Sequence, residues 1–157
     1  KVMLSYEYLW TNIRVKGGPY GCMSGFRRTG DGFLVSYRDP HLKNTLEVFQ
    51  KTGDFIRSFD ADEREMTKYI IGTISEIDAP LTPSAKGSMS LNAWFSGITR
   101  EDMEKERQEI LDAQPEDIRN LAGIVDTIVD QNRICVIGSE EKLQQDKEVF
   151  KEIKHLL

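Results

Sequence analysis

Few side chains in this sequence suit metal or nucleophile chemistry. His41 and His155 stand far apart, and neither has a second histidine within one helical turn. No H-E-x-x-H, H-x-x-E-H or C-x-x-C pattern occurs, so a closed zinc site built by this chain alone is not expected. The phosphate loop G-x-x-x-x-G-K-[ST] and the serine elbow G-x-S-x-G are missing as well. Cys22 and Cys135 read as small buried hydrophobes, His41 as a first-turn surface residue and His155 as a helix-end cation. What the sequence does offer is positive charge near its start. The first 40 residues hold Lys1, Arg14, Lys16, Arg27, Arg28 and Arg38 against only Glu7, Asp31 and Asp39. Such a corner is either a solvated hairpin surface or a site that grips carbonyl or carboxylate oxygens.

The elements that would hold this corner read as follows. Met3, Tyr6, Leu9, Trp10 and Ile13 step by three and four and predict one apolar helix face. Gly17-Gly18 ends that helix. Residues 20–28 and 33–38 predict two strands joined by the turn Thr29-Gly30-Asp31-Gly32, an antiparallel hairpin. Asp39-Pro40 reads as an N-cap followed by a first-turn proline. Leu42, Leu46, Phe49, Ile56 and Phe59 then mark a long helix with Gly53 inside it.

The remainder reads as mostly helical. Asp60 and Glu63 have capping-box spacing ahead of Met66, Ile70, Ile74 and Ile77. Thr82-Pro83 starts another helix towards Phe95. Thr99 and Asp102 form a second capping box, with Ile98 and Met103 placed as a hydrophobic staple. Pro115 opens a helix carrying Ile118, Leu121, Ala122, Val125, Ile128 and Val129, although Gln114 is a poor cap for it. Residues 134–137 predict a short buried strand. Ser139 caps a last helix that uses Val149, Phe150, Ile153 and Leu156. The acidic run from Glu101 to Glu109, interrupted by Lys105 and Arg107, is a solvated helix face. The fold class that follows is α+β: an antiparallel or mixed sheet with helices packed on one face, in a single domain over residues 1–157. Three strands make a small sheet, so we expect a segment of something longer, truncated at its N-terminus.

Composition narrows the function classes. A chain of 157 residues can hide roughly 70% of its unfolded surface, enough for a core without metals or disulfides. The net charge of −5 argues against bulk binding of nucleic acid or anionic lipid. That charge is uneven. Residues 1–98 carry twelve basic and eleven acidic groups, whereas residues 99–157 carry nine and fifteen. No apolar run approaches the ~20 residues of a membrane span, and residues 1–8 lack the shape of a signal peptide. Two cysteines make no disulfide framework, which favours a reducing compartment.

Three motifs then carry a resemblance. They are residues 13–21, Ile-Arg-Val-Lys-Gly-Gly-Pro-Tyr-Gly; residues 36–40, Ser-Tyr-Arg-Asp-Pro; and Ile77-Asp-Ala-Pro followed by Pro83-Ser-Ala-Lys-Gly. Their order and spacing resemble the C-terminal part of the presequence-protease branch of the insulinase-like zinc metallopeptidases, over nearly the whole chain from about residue 2. The resemblance implies an enzyme of two halves, built from related α+β domains, that close around an unfolded peptide. Zn2+ and the H-x-x-E-H motif would belong to the N-terminal half, the partner of this segment. This segment would hold no cofactor and be inactive alone. Arg14 and Tyr20 match the pair that, in the family, hydrogen-bonds the substrate near the scissile bond and supports the developing oxyanion. Bacterial cytoplasm and organelle matrix both fit the resemblance.

One residue departs from the pattern. Pro19 stands where a small residue such as alanine is expected, and proline restricts both its own φ and that of Gly18. Either the turn keeps its shape or Tyr20 is re-aimed. A different class of function also stays open at this stage, a non-catalytic α+β module for peptide binding or assembly. Apolar surface left bare at a truncated N-terminus would favour self-association.

Overall fold

The chain opens on a helix that is wider than an α-helix. In the computed structural model, which describes residues 1–155, helix α1 (Leu4–Val15) is π-helical, with bonds reaching five residues back. At its end the Lys16 N–H reaches the carbonyls of Thr11 and Ile13. The wider turn changes which side chains face inward. Leu4, Tyr8, Leu9 and Ile13 are buried, with Leu4, Leu9 and Ile13 five and then four residues apart. Tyr6 and Trp10, expected on the apolar face, are exposed. The prediction took three-to-four spacing from an ordinary helix, and that period does not hold here.

The hairpin forms as predicted. Strands β1 (Gly21–Phe26) and β2 (Gly32–Tyr37) pair antiparallel, with Met23 opposite Val35 and Gly25 opposite Phe33. The turn closes through Arg27 N–H to Asp31 O at 2.8 Å and Gly30 N–H to Arg27 O at 3.0 Å. Gly30 has φ +89°, a left-handed conformation that glycine takes without penalty. Strand alternation gives the hairpin two faces. Ser24 on one face is buried and its hydroxyl lies 3.4 Å from that of Ser5 in α1. Met23, Phe33, Val35 and Tyr37 on the other are exposed. Helices thus cover one face of a small antiparallel sheet, an α+β arrangement.

By contact density the chain divides into two compact units. One holds Met3–Arg57 together with the described residues from Leu121 onward; the other holds Ser58–Asn120. In the first, helices α2 (Leu42–Gln50) and α3 (Thr52–Arg57) follow the hairpin. Tyr8 of α1 stacks on Phe55 of α3 with centroids 4.6 Å apart and donates its hydroxyl to Val48 O at 2.8 Å. Burial pushes the Tyr8 phenol above its ordinary pKa, and Asp54 adds to the shift. The predicted long helix over this stretch is broken at Lys51, whose φ and ψ of −86° and 3° leave the helical region. Asp39 is not the N-cap. Its Oδ1 accepts the His41 N–H at 2.9 Å, an Asx turn, and the helix starts two residues beyond Pro40.

Helix α4 (Glu63–Ile77), in the second unit, carries a full capping box, formed by Asp62 and Glu65 rather than Asp60 and Glu63. Helix α5 (Pro83–Phe95) starts on Thr82 with proline at its first turn, and α6 (Arg100–Leu111) starts on the Thr99–Asp102 box, both as expected. Arg107 clasps Asp78 at the end of α4 through Nη2 at 2.8 Å and Nε at 3.2 Å. Helix α7 (Pro115–Asn120) solves the problem of Gln114 from the other side: the Asp117 carboxylate accepts the Gln114 N–H at 2.8 Å.

Two further expectations fail. The helix from Pro115 breaks at Leu121, and α8 (Ala122–Asp130) is separate, returning to the first unit. Residues 134–137 form no strand. Burial alternates along them, but the described sheet has only two strands, β1 and β2, and Ile137 is 83% exposed. The last helix shrinks to α9 (Glu140–Gln145) and a 3-10 turn (Lys147–Val149), Ser139 makes no side-chain cap bond, and Leu156 lies outside the described residues.

Two measurements check this packing. Leu9→Ala should lower the unfolding free energy by about 2–5 kcal/mol in urea, because Leu9 is wholly buried. Tyr6→Ala should change it by no more than about 0.5 kcal/mol; equal losses would contradict the wide turn of α1. The Arg107 hydrogen bonds hold the Asp78 carboxyl below its ordinary pKa. A depressed folded-state pKa means the pair's contribution is complete above the unfolded value and fades as pH falls through the folded one. In Arg107→Gln, an NMR titration should find Asp78 moved back up towards an ordinary carboxylate.

Candidate functional site

The candidate site lies where α1 hands over to β1. Ile13 is fully buried and ends the apolar stripe of α1. Arg14 follows it in the last turn. The chain then reverses through Gly17 and Gly18, and Gly18 sits at φ +85°, where any side chain would be strained. Pro19 is fully buried. Tyr20, the next residue, joins the sheet through its backbone. The Tyr20 N–H donates to Tyr37 O at 3.0 Å, one step beyond the β1–β2 ladder.

The two predicted residues land in different surroundings. The Arg14 guanidinium lies 5.8 Å over the Trp10 ring. Its Nε is shielded from solvent without a hydrogen-bond partner, and no ion pair engages it among the described residues. Tyr20 is 66% exposed. Its ring meets Tyr37 edge to face at 5.8 Å, and Arg38 lies 5.7 Å over it. No hydrogen bond or cation–ring contact joins Arg14 to Tyr20 among the described residues. Both nonetheless present donors that no protein acceptor takes, at one helix-to-strand corner.

Other groups gather at this corner. Cys22, in β1, is half-buried, and burial raises its thiol pKa; the backbone and charge of Arg14 pull it down in part, while Asp39 adds to the rise. Asp39 Oδ2 is shielded and unpartnered like Arg14 Nε. Buried polar atoms usually have a partner, so these two stand out. Tyr37 and Arg38 were not among the predicted site residues, although both lie in the Ser36–Pro40 motif. Arg38 has φ +50°, uncommon for a non-glycine residue, and nothing in residue type announces it.

The remaining candidates fall elsewhere. Cys135 is exposed rather than buried. His41 is exposed and sits at the N-cap position of α2 without a side-chain cap bond. His155 is exposed, lies beyond the last helix, and faces Glu140 at 3.6 Å. Among the described residues no three His, Cys, Asp or Glu side chains lie close enough to share a metal ion. No helix of the described residues is long and apolar enough to cross a membrane.

The comparison with known proteins agrees with the motifs. A family model for the PreP C-terminal domain matches residues 1–140. The chain belongs to the PreP C-terminal domain family. It is 44% identical to Protein HypA of Clostridium perfringens over 99% of its length and 36% identical to presequence protease 1 of Arabidopsis thaliana, chloroplastic/mitochondrial, over 98%. It is 33% identical to the mitochondrial presequence protease of Aspergillus oryzae over 95%. The chain spans 14–16% of the length of these relatives. The relatives it matches thus include a clostridial protein and proteins named as mitochondrial or chloroplastic.

Thiol chemistry offers a direct check on the corner. Iodoacetamide should modify exposed Cys135 faster than half-buried Cys22. In Arg14→Ala the Cys22 thiol loses a neighbouring charge that lowers its pKa, so its alkylation at neutral pH should slow further, with Cys135 unchanged.

Proposed function

We propose that this segment is the non-zinc part of a zinc-dependent metalloendopeptidase that degrades unfolded oligopeptides. The observation that carries the proposal is the pairing of family membership with Arg14 and Tyr20, whose donors are uncommitted at the corner between α1 and β1. The relatives named presequence proteases support the reaction class.

The chemistry assigned to these residues is simple. Cutting a peptide bond places negative charge on the carbonyl oxygen. Donors aimed at that oxygen beforehand are worth most in the transition state. Arg14 contributes a permanent charge and a rigid donor fork. Tyr20 contributes one O–H on a stiff ring. Neither moves a proton; both hold the substrate carbonyl and oppose the charge that grows on it. Zinc, on this reading, is bound in the part of the peptidase outside this chain and supplies Lewis-acid activation of the attacking water. The partner of the segment is that zinc-bearing half, and the segment alone is inactive. The bacterial relative fits a bacterial cytoplasm as its compartment, and the relatives named mitochondrial or chloroplastic fit the alternative of an organelle matrix.

The test is cleavage of a quenched, unstructured peptide with zinc present. The full-length protein carrying this segment should cut it, and this chain by itself should not. Arg14→Ala and Tyr20→Phe should each lower kcat by roughly 10²–10³-fold, the range for losing one oxyanion donor. Full activity in both variants would move the non-catalytic, peptide-binding reading ahead.

A further inference from the structure

We propose that Arg38 is the positioning residue for Tyr20, the side chain that sets the aim of its hydroxyl. The proposal rests on the reading of Tyr20 as a substrate and oxyanion donor. Tyr20 is largely exposed, so packing alone gives its ring little restraint. What does touch the ring is a three-part stack. Tyr37 meets it edge to face at 5.8 Å. The Arg38 guanidinium lies 5.7 Å from the Tyr20 centroid and 5.3 Å from that of Tyr37, bridging both rings. The backbone bond from Tyr20 N–H to Tyr37 O keeps the two tyrosines in register.

The backbone at Arg38 is bent to make this possible. It follows the last residue of β2 and sits at φ +50°. A non-glycine residue is held there only when its surroundings demand it, and such positions cluster at functional sites. The next residue fixes the corner, because Asp39 Oδ1 accepts the His41 N–H at 2.9 Å. Among the described residues no carboxylate engages the Arg38 guanidinium, so the stack is its whole commitment. Arginine suits the task better than lysine, since its flat group can lie against aromatic rings while keeping its charge.

A mutant cycle in the full-length protein tests this, with Arg38→Gly, Tyr20→Phe and both together. Glycine accepts φ +50°, so Arg38→Gly removes the stack without straining the corner. Arg38→Gly should lower kcat about tenfold with KM nearly unchanged, and should do nothing more in the Tyr20→Phe background. Arg38→Lys, which keeps a cation, should recover part of the loss. Equal losses in both backgrounds, or a change confined to KM, would overturn the proposal and leave Tyr20 in its role. A Tyr20→Phe variant with normal kcat would instead overturn the reading of Tyr20, and the role of Arg38 with it. NMR of the 157-residue chain with labelled tyrosine gives a second readout. Arg38→Gly should shift the Tyr20 ring signals towards those of a freely rotating ring, and unmoved signals would count against the proposal.

Discussion

The corner that carries Arg14 and Tyr20 depends on the burial of one stripe of α1. Leu4, Leu9 and Ile13 are almost wholly enclosed. Each such side chain contributes about 1.5–3 kcal/mol by leaving water. Tyr8 joins them and reaches further, stacking on Phe55 and bonding Val48 O. The stripe therefore holds α2 and α3 as well as the helix itself. Ile13 is the last of these anchors before the turn, and Pro19 is the first buried residue after it. Arg14 follows directly on Ile13, and Tyr20 directly on Pro19. Each candidate side chain is thus tied to a fixed point one residue away, although the glycine turn between them has no such support. Buried anchors directly behind the two side chains limit how far each can move, which is what preorganisation needs.

Much of the fold was legible because its signals are local. The turn over residues 29–32, the Thr99–Asp102 box and the Thr82-Pro83 start each depend on bonds within a few residues, and each forms. The misses depend on what lies elsewhere in space. The alternation at residues 134–137 is a strand signal only if a neighbour offers its backbone, and among the described residues none does. Helix α1 has the composition of an ordinary amphipathic helix, yet its burial follows a wider turn. The capping box of α4 was placed two residues early because Asp60 and Asp62 offer the same spacing to a glutamate.

The site was legible in a different way. Arg14 and Tyr20 stood out through a motif, not through any local rule; an arginine in a last helical turn ordinarily reads as a surface cation. Arg38 was visible as one of the six cations of the first 40 residues and as a member of the Ser36–Pro40 motif. Its left-handed φ and its stack on two rings are properties of the folded hairpin. Pro19, the departure from the motif, is fully buried beside Tyr20.

The question raised by the cationic start, solvated surface or grip for oxygens, turns on how those cations are occupied. In the other unit, Arg107 spends its donor fork on Asp78, and a structural ion pair of that kind leaves little for a ligand. Near the hairpin the arrangement differs. Arg14 lies over Trp10, Arg27 over Phe33, and Arg38 over Tyr20 and Tyr37. A ring attracts a guanidinium by about 0.5–1 kcal/mol at exposed sites and engages its face rather than its N–H edges. Aromatic contact therefore orients an arginine while leaving its donors available, which a carboxylate partner would not. Three of the six basic residues in the first 40 are held this way. In these three the N–H edges stay open to water or to the oxygen acceptor proposed above.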